Sequence, residues 1–363
     1  MAKKTPFYDQ HVKHGAKIVE FAGYLMPIQY RGIVEEHRKV RNDAGIFDLS
    51  HMGEFILTGK DAEAFLQKVT VNDVSKLDLW QVQYSCMCYP EGGIVDDLLI
   101  YRLPDHWMLV VNAACLDKDF AWLQQNKIGD VKLENISDNI ALLAIQGPRA
   151  EKVMARLTDC DLPGIKFYWS AREKVGGEEI LFSRTGYTGE DGFELYLPSD
   201  IAPKFWNLAL EAGKEFEVEP IGLGARDSLR LEMKYMLYGN DIDQTTNPLE
   251  AGLGWIVKPD RGDFIGREPI LKARQNGLSR RLVSFEMLDQ AFPRQHYPIH
   301  KNGGKIGEVT SGVFSPSLER GIGLGYVPTQ HSEIGSTFEI QIRDRPYPAQ
   351  VVKPPFWKNY SHK

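Results

Sequence analysis

Alternation of apolar and polar positions predicts a series of strands and helices before residue 250. Strands are predicted at residues 51–59, 84–89, 93–102, 107–112, 139–146, 179–183 and 193–197. Helical spacing predicts helices near residues 35–41 (ending near Gly45) and at residues 61–69, 116–125, 149–157, 202–212 and 223–233. A strand–helix–strand–strand order occurs twice without a strict period, so the pattern is a doubled α/β arrangement rather than a sequence repeat.

The pattern changes near residue 280. Short strands are predicted from there on, at residues 282–286, 305–311, 321–327 and 338–342. Turn residues separate them, including Asn302-Gly303-Gly304. Short strands at such spacing are typical of a small all-β barrel or sandwich.

Composition restricts the class of protein and its partners. The chain has 363 residues, enough for two or three domains, and 43% hydrophobic with 25% charged residues is ordinary for a globular protein. The net charge of −6 argues against nucleic acid or an anionic membrane as a partner, because binding to phosphates needs a basic face.

The four cysteines are too few and too scattered for a disulfide framework, and no Cys or His cluster has metal-ligand spacing. We therefore expect no metal. The polar start has no apolar h-region, and no apolar run approaches the roughly 20 residues of a membrane span. These features predict a cytoplasmic protein in a reducing compartment.

A glycine-rich stretch, residues 184–196, lies between two predicted strands and carries the first candidate chemistry. Three glycines in seven residues predict a tight loop whose backbone a ligand can approach closely. Tyr187 offers a ring for stacking, and Glu190, Asp191 and Glu194 offer acceptors for neighbouring N–H groups. The alternative is an acidic, solvated hairpin turn.

Two adjacent acids, Asp96 and Asp97, interrupt an otherwise apolar predicted strand. Strand side chains alternate, so the two carboxylates point to opposite faces, and only one of them can face solvent. A buried carboxylate must find a donor, shift its pKa or face a ligand cavity, which makes one of the pair a catalytic candidate. The alternative is a structural ion pair, and periodicity does not choose between the two acids.

Arg226 lies on a predicted helix and can receive a ligand carboxylate through two hydrogen bonds. The alternative is an ordinary surface position, with Arg230 four residues further on the same face. The nearby Gly222 and Gly224 lack the third glycine of a dinucleotide-binding fingerprint, and neither a Walker A loop nor a G-x-S-x-G elbow occurs.

Motifs along the whole chain together resemble the tetrahydrofolate-dependent aminomethyltransferase, or T-protein, family of the glycine cleavage system. The matching stretches are residues 5–6, 45–53, 72–74, 92–101, 146–148, 184–194, 222–232, 237–240, 264–267, 310–312, 315–316 and 353–356.

The resemblance implies an α+β fold, a three-domain cloverleaf with folate in its central opening. Two ferredoxin-like α/β domains are implied, residues 1–50 with about 140–220 and about 51–139 with about 221–279, followed by a β-barrel over about 280–363. The implied reaction transfers a methylene group from an aminomethylated lipoyl arm, carried by H-protein, to tetrahydrofolate with release of ammonia. Folate is then a cosubstrate, and no metal or flavin is implied.

The resemblance also implies roles for single residues. Asp96 matches the family's essential aspartate, which stabilises cationic character near the folate nitrogens. Residues 356–360 are expected to close over the site. The implied folate contacts, of which the tyrosines at 84 and 101 are the weaker matches, are Glu194, Tyr187, Arg226, Tyr84 and Tyr101.

One stretch departs from the family pattern. Residues 77–83 lack the Pro-Gly or Ser-Gly turn with a nearby basic residue that usually precedes Tyr84, and Trp80 stands where glycine is usual. We therefore expect a reshaped turn at this wall of the site and the loss of a basic contact.

Three other functions compete with aminomethyl transfer. A same-fold paralogue, such as a demethylase or an iron–sulfur assembly factor, lacks support because neither a flavin domain nor a Lys-Gly-Cys-Tyr signature is present. A non-catalytic folate-binding protein would not require Asp96. A hydrolase using Asp96 and an acid of residues 190–194 would act on a glycoside without folate.

Overall fold

The computed structural model describes residues 2–362, which form eight α-helices and twenty strands. No helix within these residues has the length and apolarity that a membrane span requires. The helices, numbered along the chain, are α1 Tyr8–Lys13, α2 Ile33–Asn42, α3 Ala62–Val69, α4 Leu116–Gln125, α5 Ala150–Met154, α6 Ala202–Ala212, α7 Leu223–Glu232 and α8 Arg267–Asn276.

Two sheets are built from the N-terminal segment and from the middle of the chain. A three-stranded sheet has the order β1-β3-β2, and a six-stranded sheet has the order β11-β12-β13-β10-β4-β14. Their strands are β1 Lys3–Lys4, β2 Lys17–Phe21, β3 Tyr24–Gln29, β4 Gly45–Asp48, β10 Ile140–Gln146, β11 Ser170–Val175, β12 Glu178–Ser183, β13 Gly192–Pro198 and β14 Glu219–Pro220. The glycine-rich loop connects β12 to β13, which pair antiparallel, so β13 carries Glu194 beside Ser183.

A five-stranded antiparallel sheet has the order β6-β7-β8-β5-β9 and comes from the intervening residues. Its strands are β5 Gly53–Thr58, β6 Val82–Cys88, β7 Ile94–Arg102, β8 Trp107–Val111 and β9 Lys132–Asn135. One face packs on α3 and α4 through residues such as Leu98 and Ile100. The other face packs against the six-stranded sheet through Tyr101, which contacts the same cluster as Leu142 and Tyr196. Because both faces are covered, β7 reads as a nearly continuous apolar strand.

The C-terminal region is a closed barrel with the strand order β15-β18-β17-β16-β19-β20. Its strands are β15 Arg280–Met287, β16 Pro298–Lys301, β17 Gly304–Ser315, β18 Arg320–Pro328, β19 Thr337–Ile342 and β20 Arg345–Val352. The prediction of a small all-β unit after residue 280 is confirmed, and of its two forms the barrel is the observed one. Closure leaves no sheet edge unpaired, which an open sandwich would not achieve.

Most predicted elements are present with shifts of a few residues at their ends, and two local expectations differ. The helix expected at residues 149–157 ends at Met154, because i→i−3 bonds such as Leu157 N to the Met154 carbonyl (2.8 Å) tighten the last turn. Gly45 begins strand β4 rather than ending α2. Several elements were not predicted from the sequence, among them β2, β3, β9, β11, β16, α8 and β20, the last of which contains two prolines.

A buried ionic network, which we call the Arg41 network, joins α2 and α7 to the glycine-rich loop and the barrel. Arg41 on α2 donates to Glu232 Oε2 through Nη2 (2.8 Å) and to Glu190 Oε1 through Nη1 (2.7 Å). Glu232 also accepts from Ser315 Oγ of the barrel (2.5 Å) and lies 3.2 Å from His37 Nε2. The three charged side chains of Arg41, Glu190 and Glu232 are at most 3% exposed, so their ion pairs are screened little by water.

Candidate active site

The glycines of the glycine-rich loop allow close packing on Gln146. A Cβ atom at Gly186 would lie 2.0 Å from Gln146 Oε1, and one at Gly192 would lie 2.4 Å from Gln146 Nε2. Gln146 is buried and holds the loop by donating from Nε2 to the Thr185 carbonyl (3.0 Å). Gly189 has φ +82°, a left-handed conformation that favours glycine. The structure therefore gives these glycines a packing role where we expected them to admit a ligand.

Two of the three carboxylates near this loop are paired with arginines. Asp191 accepts from Arg184 Nε (2.8 Å) and Nη2 (2.6 Å), and Glu190 accepts from Arg41. Both acids are buried, so the interpretation of the loop as a solvated acidic turn is wrong. Because their oxygens are already engaged, Glu190 and Asp191 hold the loop in place, and Glu194 is the carboxylate left for a ligand.

Glu194 stands at the end of a chain of hydroxyl groups. Tyr101 Oη lies 3.0 Å from Ser183 Oγ, which lies 2.6 Å from Thr185 Oγ1, and that hydroxyl donates to Glu194. Burial raises the pKa of Glu194, while the Thr185 hydrogen bond and the charge of Arg226 act in the opposite direction. Tyr101 is fully buried and also lies 2.7 Å from Tyr196 Oη, so it orients this chain from behind rather than lining the site.

Tyr187 and Arg226 lie face to face beside Glu194. The Arg226 guanidinium carbon is 4.4 Å from the centre of the Tyr187 ring, a cation–π contact. Tyr187 stacks on Tyr235 with ring centres 5.7 Å apart, and its hydroxyl donates to the Met236 carbonyl. Within residues 2–362 the guanidinium forms neither a hydrogen bond nor an ion pair, so its five N–H donors are available.

Asp97 is the acid of the adjacent pair that lies with these residues. Its Oδ2 accepts from Tyr84 Oη (2.8 Å), and its Oδ1 accepts from Asn112 Nδ2 (2.8 Å). Burial and the charge of Asp96 raise the pKa of Asp97 to about 7, against the effect of those two hydrogen bonds. A carboxylate with such a pKa is suited to general acid–base or electrostatic catalysis near neutral pH.

These side chains form what we call the central cluster. It brings together residues of the five-stranded sheet, the six-stranded sheet with its glycine-rich loop, and α7. Tyr187 lies within electrostatic range of Asp97, Tyr84 and Arg226. Asp97 and Glu194 keep 9% and 8% of their surface exposed, so water or a ligand can reach them. The members are Tyr84, Asp97, Tyr187, Glu194 and Arg226, and the predicted folate contacts other than Tyr101 are thus brought together.

Two family models match this chain in succession. The GCVT N-terminal domain matches residues 7–261, and the glycine cleavage T-protein C-terminal barrel domain matches residues 280–358. The chain belongs to the glycine cleavage T-protein family. The resemblance read from the motifs is confirmed.

Relatives of the T-protein family match over nearly the whole length. A protein from Desulfitobacterium hafniense (strain Y51) named aminomethyltransferase is 50% identical over 358 residues, 98% of each chain. An aminomethyltransferase from Porphyromonas gingivalis (strain ATCC 33277) is 53% identical over 362 residues, covering 98% of this chain and 100% of the relative. Proteins of this similarity are named as enzymes, so the paralogue alternatives are not favoured.

A solved structure confirms the predicted T-protein fold of two α/β units and a barrel. The crystal structure of glycine cleavage system aminomethyltransferase T from Bartonella henselae superposes with a TM-score of 0.94. The two proteins are 35% identical, and the match covers 100% of both chains.

Asp96, which the T-protein resemblance implied as catalytic, lies on the opposite face of β7 from the central cluster. A register shift between Met87 and Cys88 precedes it, and its side chain points towards α4. Asp96 is 0% exposed. Its carboxylate accepts two hydrogen bonds from Asn112, one from the backbone N (3.1 Å) and one from Nδ2 (2.9 Å). Neither acid faces solvent, contrary to the simple alternation argument, because both faces of the sheet are covered.

The C-terminal segment, residues 356–362, is hydrogen-bonded to the glycine-rich loop and to the end of α7. Trp357 Nε1 donates to Glu190 Oε1 (3.1 Å), and the Ser361 backbone N donates to Glu190 Oε2 (3.0 Å). The backbone N of Phe356 donates to the Glu232 carbonyl (2.8 Å). The segment therefore supports the loop, and none of the hydrogen bonds within residues 2–362 joins it to the side chain of Asp97, Glu194 or Arg226.

At the departure from the T-protein pattern, Trp80 adopts a backbone conformation that favours glycine. Trp80 has φ +72°, a left-handed conformation costing roughly 1–2 kcal/mol for a residue with a Cβ atom. Its backbone N donates to the Arg102 carbonyl (2.7 Å), and its carbonyl accepts from the Ser170 backbone N (2.8 Å). These bonds fix the turn before β6.

Sequence reasoning missed three residues around the cluster. Asn112 follows β8, and its position directly after a strand beside β7 was the available signal. Tyr235 stacks on Tyr187, and Trp255, 64% exposed, stacks on Tyr84 with ring centres 6.0 Å apart. Tyr235 and Trp255 lie between α7 and α8, where no periodicity points to them.

Proposed function

We propose that the chain performs the aminomethyl transfer of a glycine cleavage system. Its substrate is an aminomethyl group held on sulfur by the lipoyl arm of H-protein, and its cosubstrate is tetrahydrofolate. Membership of the T-protein family supports this, as do relatives about 50% identical that are named aminomethyltransferase. The observation that carries the proposal is the central cluster, where a carboxylate with a pKa of about 7 lies with an acceptor, an unpaired arginine and tyrosine rings.

The bond changes of this reaction balance without a redox partner. The bond from the methylene carbon to sulfur breaks, and the sulfur leaves as a thiol. The bond from that carbon to the amine breaks, and the amine leaves as ammonia. Two new bonds join the carbon to folate nitrogens, and the two protons that these nitrogens lose are taken up by the thiol and the ammonia.

The pterin ring of folate fits the half of the cluster formed by β13 and α7. Glu194 accepts hydrogen bonds from the N–H edge of the ring, because the charge of Arg226 stabilises its anion and the residue keeps 8% of its surface exposed. Tyr187 offers a ring to the ligand, and Arg226 offers donors to its polar atoms. Raising the pKa of Glu194 by burial strengthens it as a hydrogen-bond acceptor for neutral N–H donors.

Asp97, rather than Asp96, acts on the transferred carbon. Losing ammonia or thiolate from the aminomethyl group leaves cationic iminium character, which a nearby carboxylate stabilises in a partly dry site. Tyr84 and Asn112 hold the two oxygens of Asp97, so the anion needs no reorganisation as the charge develops. The resemblance favoured Asp96, but its oxygens face α4, away from Glu194 and Arg226.

Ammonia release from aminomethylated H-protein, with and without tetrahydrofolate, tests the proposal. We expect rapid release of ammonia only when aminomethylated H-protein and tetrahydrofolate are both present. Binding of tetrahydrofolate without ammonia release would assign the chain to non-catalytic folate-binding proteins. Hydrolysis of a glycoside without folate would instead support a two-carboxylate hydrolase.

Replacing Glu194 with Gln is expected to raise the Kd for tetrahydrofolate roughly tenfold or more, because a charge-assisted hydrogen bond is worth about 1.5–3 kcal/mol. Isothermal titration calorimetry measures the change. Glu179→Gln, at an exposed position on the adjacent strand β12, removes the same charge away from the cluster and is the matched control. Equal affinities for Glu194→Gln and wild type would remove Glu194 from the folate site.

A further inference from the structure

A second buried acid, Asp119, lies behind the central cluster, between β7 and α4. Asp96 and Asp119 are both 0% exposed, and their carboxylate oxygens lie within 4.8 Å of each other and of Cys115 Sγ. Neither oxygen of Asp119 receives a hydrogen bond from any residue in 2–362. The central cluster, as described, does not use this acid.

Two ionised carboxylates at this separation in a dry interior are strongly unfavourable, so either a proton or a cation must lie between them. The surroundings favour a proton. Lys118 Nζ already supplies one positive charge, 3.7 Å from Asp119 Oδ1. Burial raises the pKa of the Cys115 thiol, so that group is not the thiolate that a metal would need. The oxygens of Asp96 are already engaged by Asn112.

Their surroundings indicate that Asp119, and not Asp96, holds the shared proton. Asp96 accepts two hydrogen bonds from Asn112, which stabilise its anion. Asp119 has no such donor, and burial together with the charge of Asp96 raises its pKa to about 11. A neutral Asp119 has one O–H, and the Asp96 carboxylate is placed to accept a hydrogen bond from it.

Asn112 connects this acid pair to the central cluster. Its Nδ2 lies 2.9 Å from Asp96 Oδ1 and 2.8 Å from Asp97 Oδ1. The same nitrogen lies 3.1 Å from the Asp97 backbone carbonyl. All three partners are acceptors, so the nitrogen of the amide must face them, and its two hydrogens are divided between Asp96 and Asp97. The orientation of Asp97 therefore depends on an anionic Asp96 that holds Asn112.

We propose that Asp119 is a neutral acid that donates its proton in a hydrogen bond to Asp96, and that this pair positions Asp97 through Asn112. Asp96 and Asp119 are then positioning residues of the proposed reaction. The link to turnover rests on the proposed function, whereas the shared proton does not. The other titratable or charged groups facing the pair are Lys118, Cys115, Tyr238, Asp97 and Cys86.

The test compares Asp119→Asn with Asp119→Ala in the full-length protein. An amide donates to Asp96 as the neutral acid does, so Asp119→Asn is expected to retain at least about a third of wild-type kcat. Asp119→Ala removes the donor, so Asp96 takes up a proton and releases Asn112; kcat should fall roughly tenfold or more, with the KM for tetrahydrofolate changed less than about twofold. The acid limb of the pH–rate profile should also move to lower pH in Asp119→Ala, because the charge of Asp96 no longer raises the pKa of Asp97 and this effect is larger than that of the lost Asn112 hydrogen bond.

Carbon-13 NMR of aspartate carboxyl groups tests the shared proton without reference to activity. We expect one carboxyl that stays protonated between pH 6 and 9, and its signal should vanish in Asp119→Asn. Absence of that signal in the wild type overturns the proposal. So does loss of turnover in Asp119→Asn as deep as in Asp119→Ala, or stabilisation of the wild type by added Zn²⁺ or Mn²⁺ that Asp119→Asn abolishes. If no variant or wild type releases ammonia but the signal behaves as expected, the proposed function fails and the acid pair stands.

Discussion

Replacing Asp97 with Asn is expected to lower folate-dependent ammonia release on the order of 10²-fold or more, because the substitution removes the carboxylate charge that we propose acts at the reacting carbon. Steady-state rates with aminomethylated H-protein and tetrahydrofolate measure the loss. Asparagine keeps the size of the side chain and can still bond to Tyr84, so folding and folate affinity should change little. A fall in kcat with an unchanged KM for tetrahydrofolate would locate the effect in the transition state.

The pH–rate profile gives the same prediction a second readout. Because the pKa of Asp97 is about 7 and its anion is the active form, the rate should fall as the pH decreases below about 7. Asp97→Asn should have no such acid limb. Asp96→Asn is the informative comparison: it removes a charge that raises the pKa of Asp97, so its acid limb should move to lower pH. Full activity in Asp97→Asn, with loss in Asp96→Asn and no shift of the limb, would return the catalytic role to Asp96.

Replacing Arg41 with Met is expected to lower the free energy of unfolding by about 3–5 kcal/mol, since it leaves two buried carboxylates without their cation. Glu190 and Glu232 both bond to Arg41, and the three side chains are at most 3% exposed. Urea unfolding followed by circular dichroism measures the change. The control is Arg38→Met on the same helix, where Arg38 pairs with Glu319 in an exposed contact, and it should cost less than about 1 kcal/mol.

The Arg41 network also predicts how stability depends on pH. Burial alone would raise the pKa of Glu232, but hydrogen bonds from His37 and Ser315 and the charge of Arg41 hold it at about 2, below its ordinary value of 4.5. Burial lowers the pKa of His37, so Arg41 carries the compensating charge at neutral pH. A lowered carboxyl pKa means that the stabilisation is complete above pH 4.5 and is lost as the pH falls towards 2. Arg41→Met should flatten this acid dependence, and an unchanged slope would contradict the assignment.

The sequence by itself determined the family, the doubled α/β arrangement and the barrel. Periodicity of apolar residues is a local property, so strands such as β7 and helices such as α4 could be located without any partner in view. The motifs also indicated Glu194, Tyr187 and Arg226, because a ligand site needs particular residue types at fixed spacing.

Only the tertiary structure decided which residues of each motif hold the site in place and which are free to bind a ligand or take part in the reaction. Glu190 and Asp191 looked equivalent to Glu194, but Arg41 approaches Glu190 from α2, which is distant in sequence, and Arg184 folds back onto Asp191 across the loop itself. Alternation along β7 places Asp96 and Asp97 on opposite faces. Which face meets α4 and which meets the central cluster depends on how the five-stranded sheet packs against its neighbours, and no local pattern records that choice.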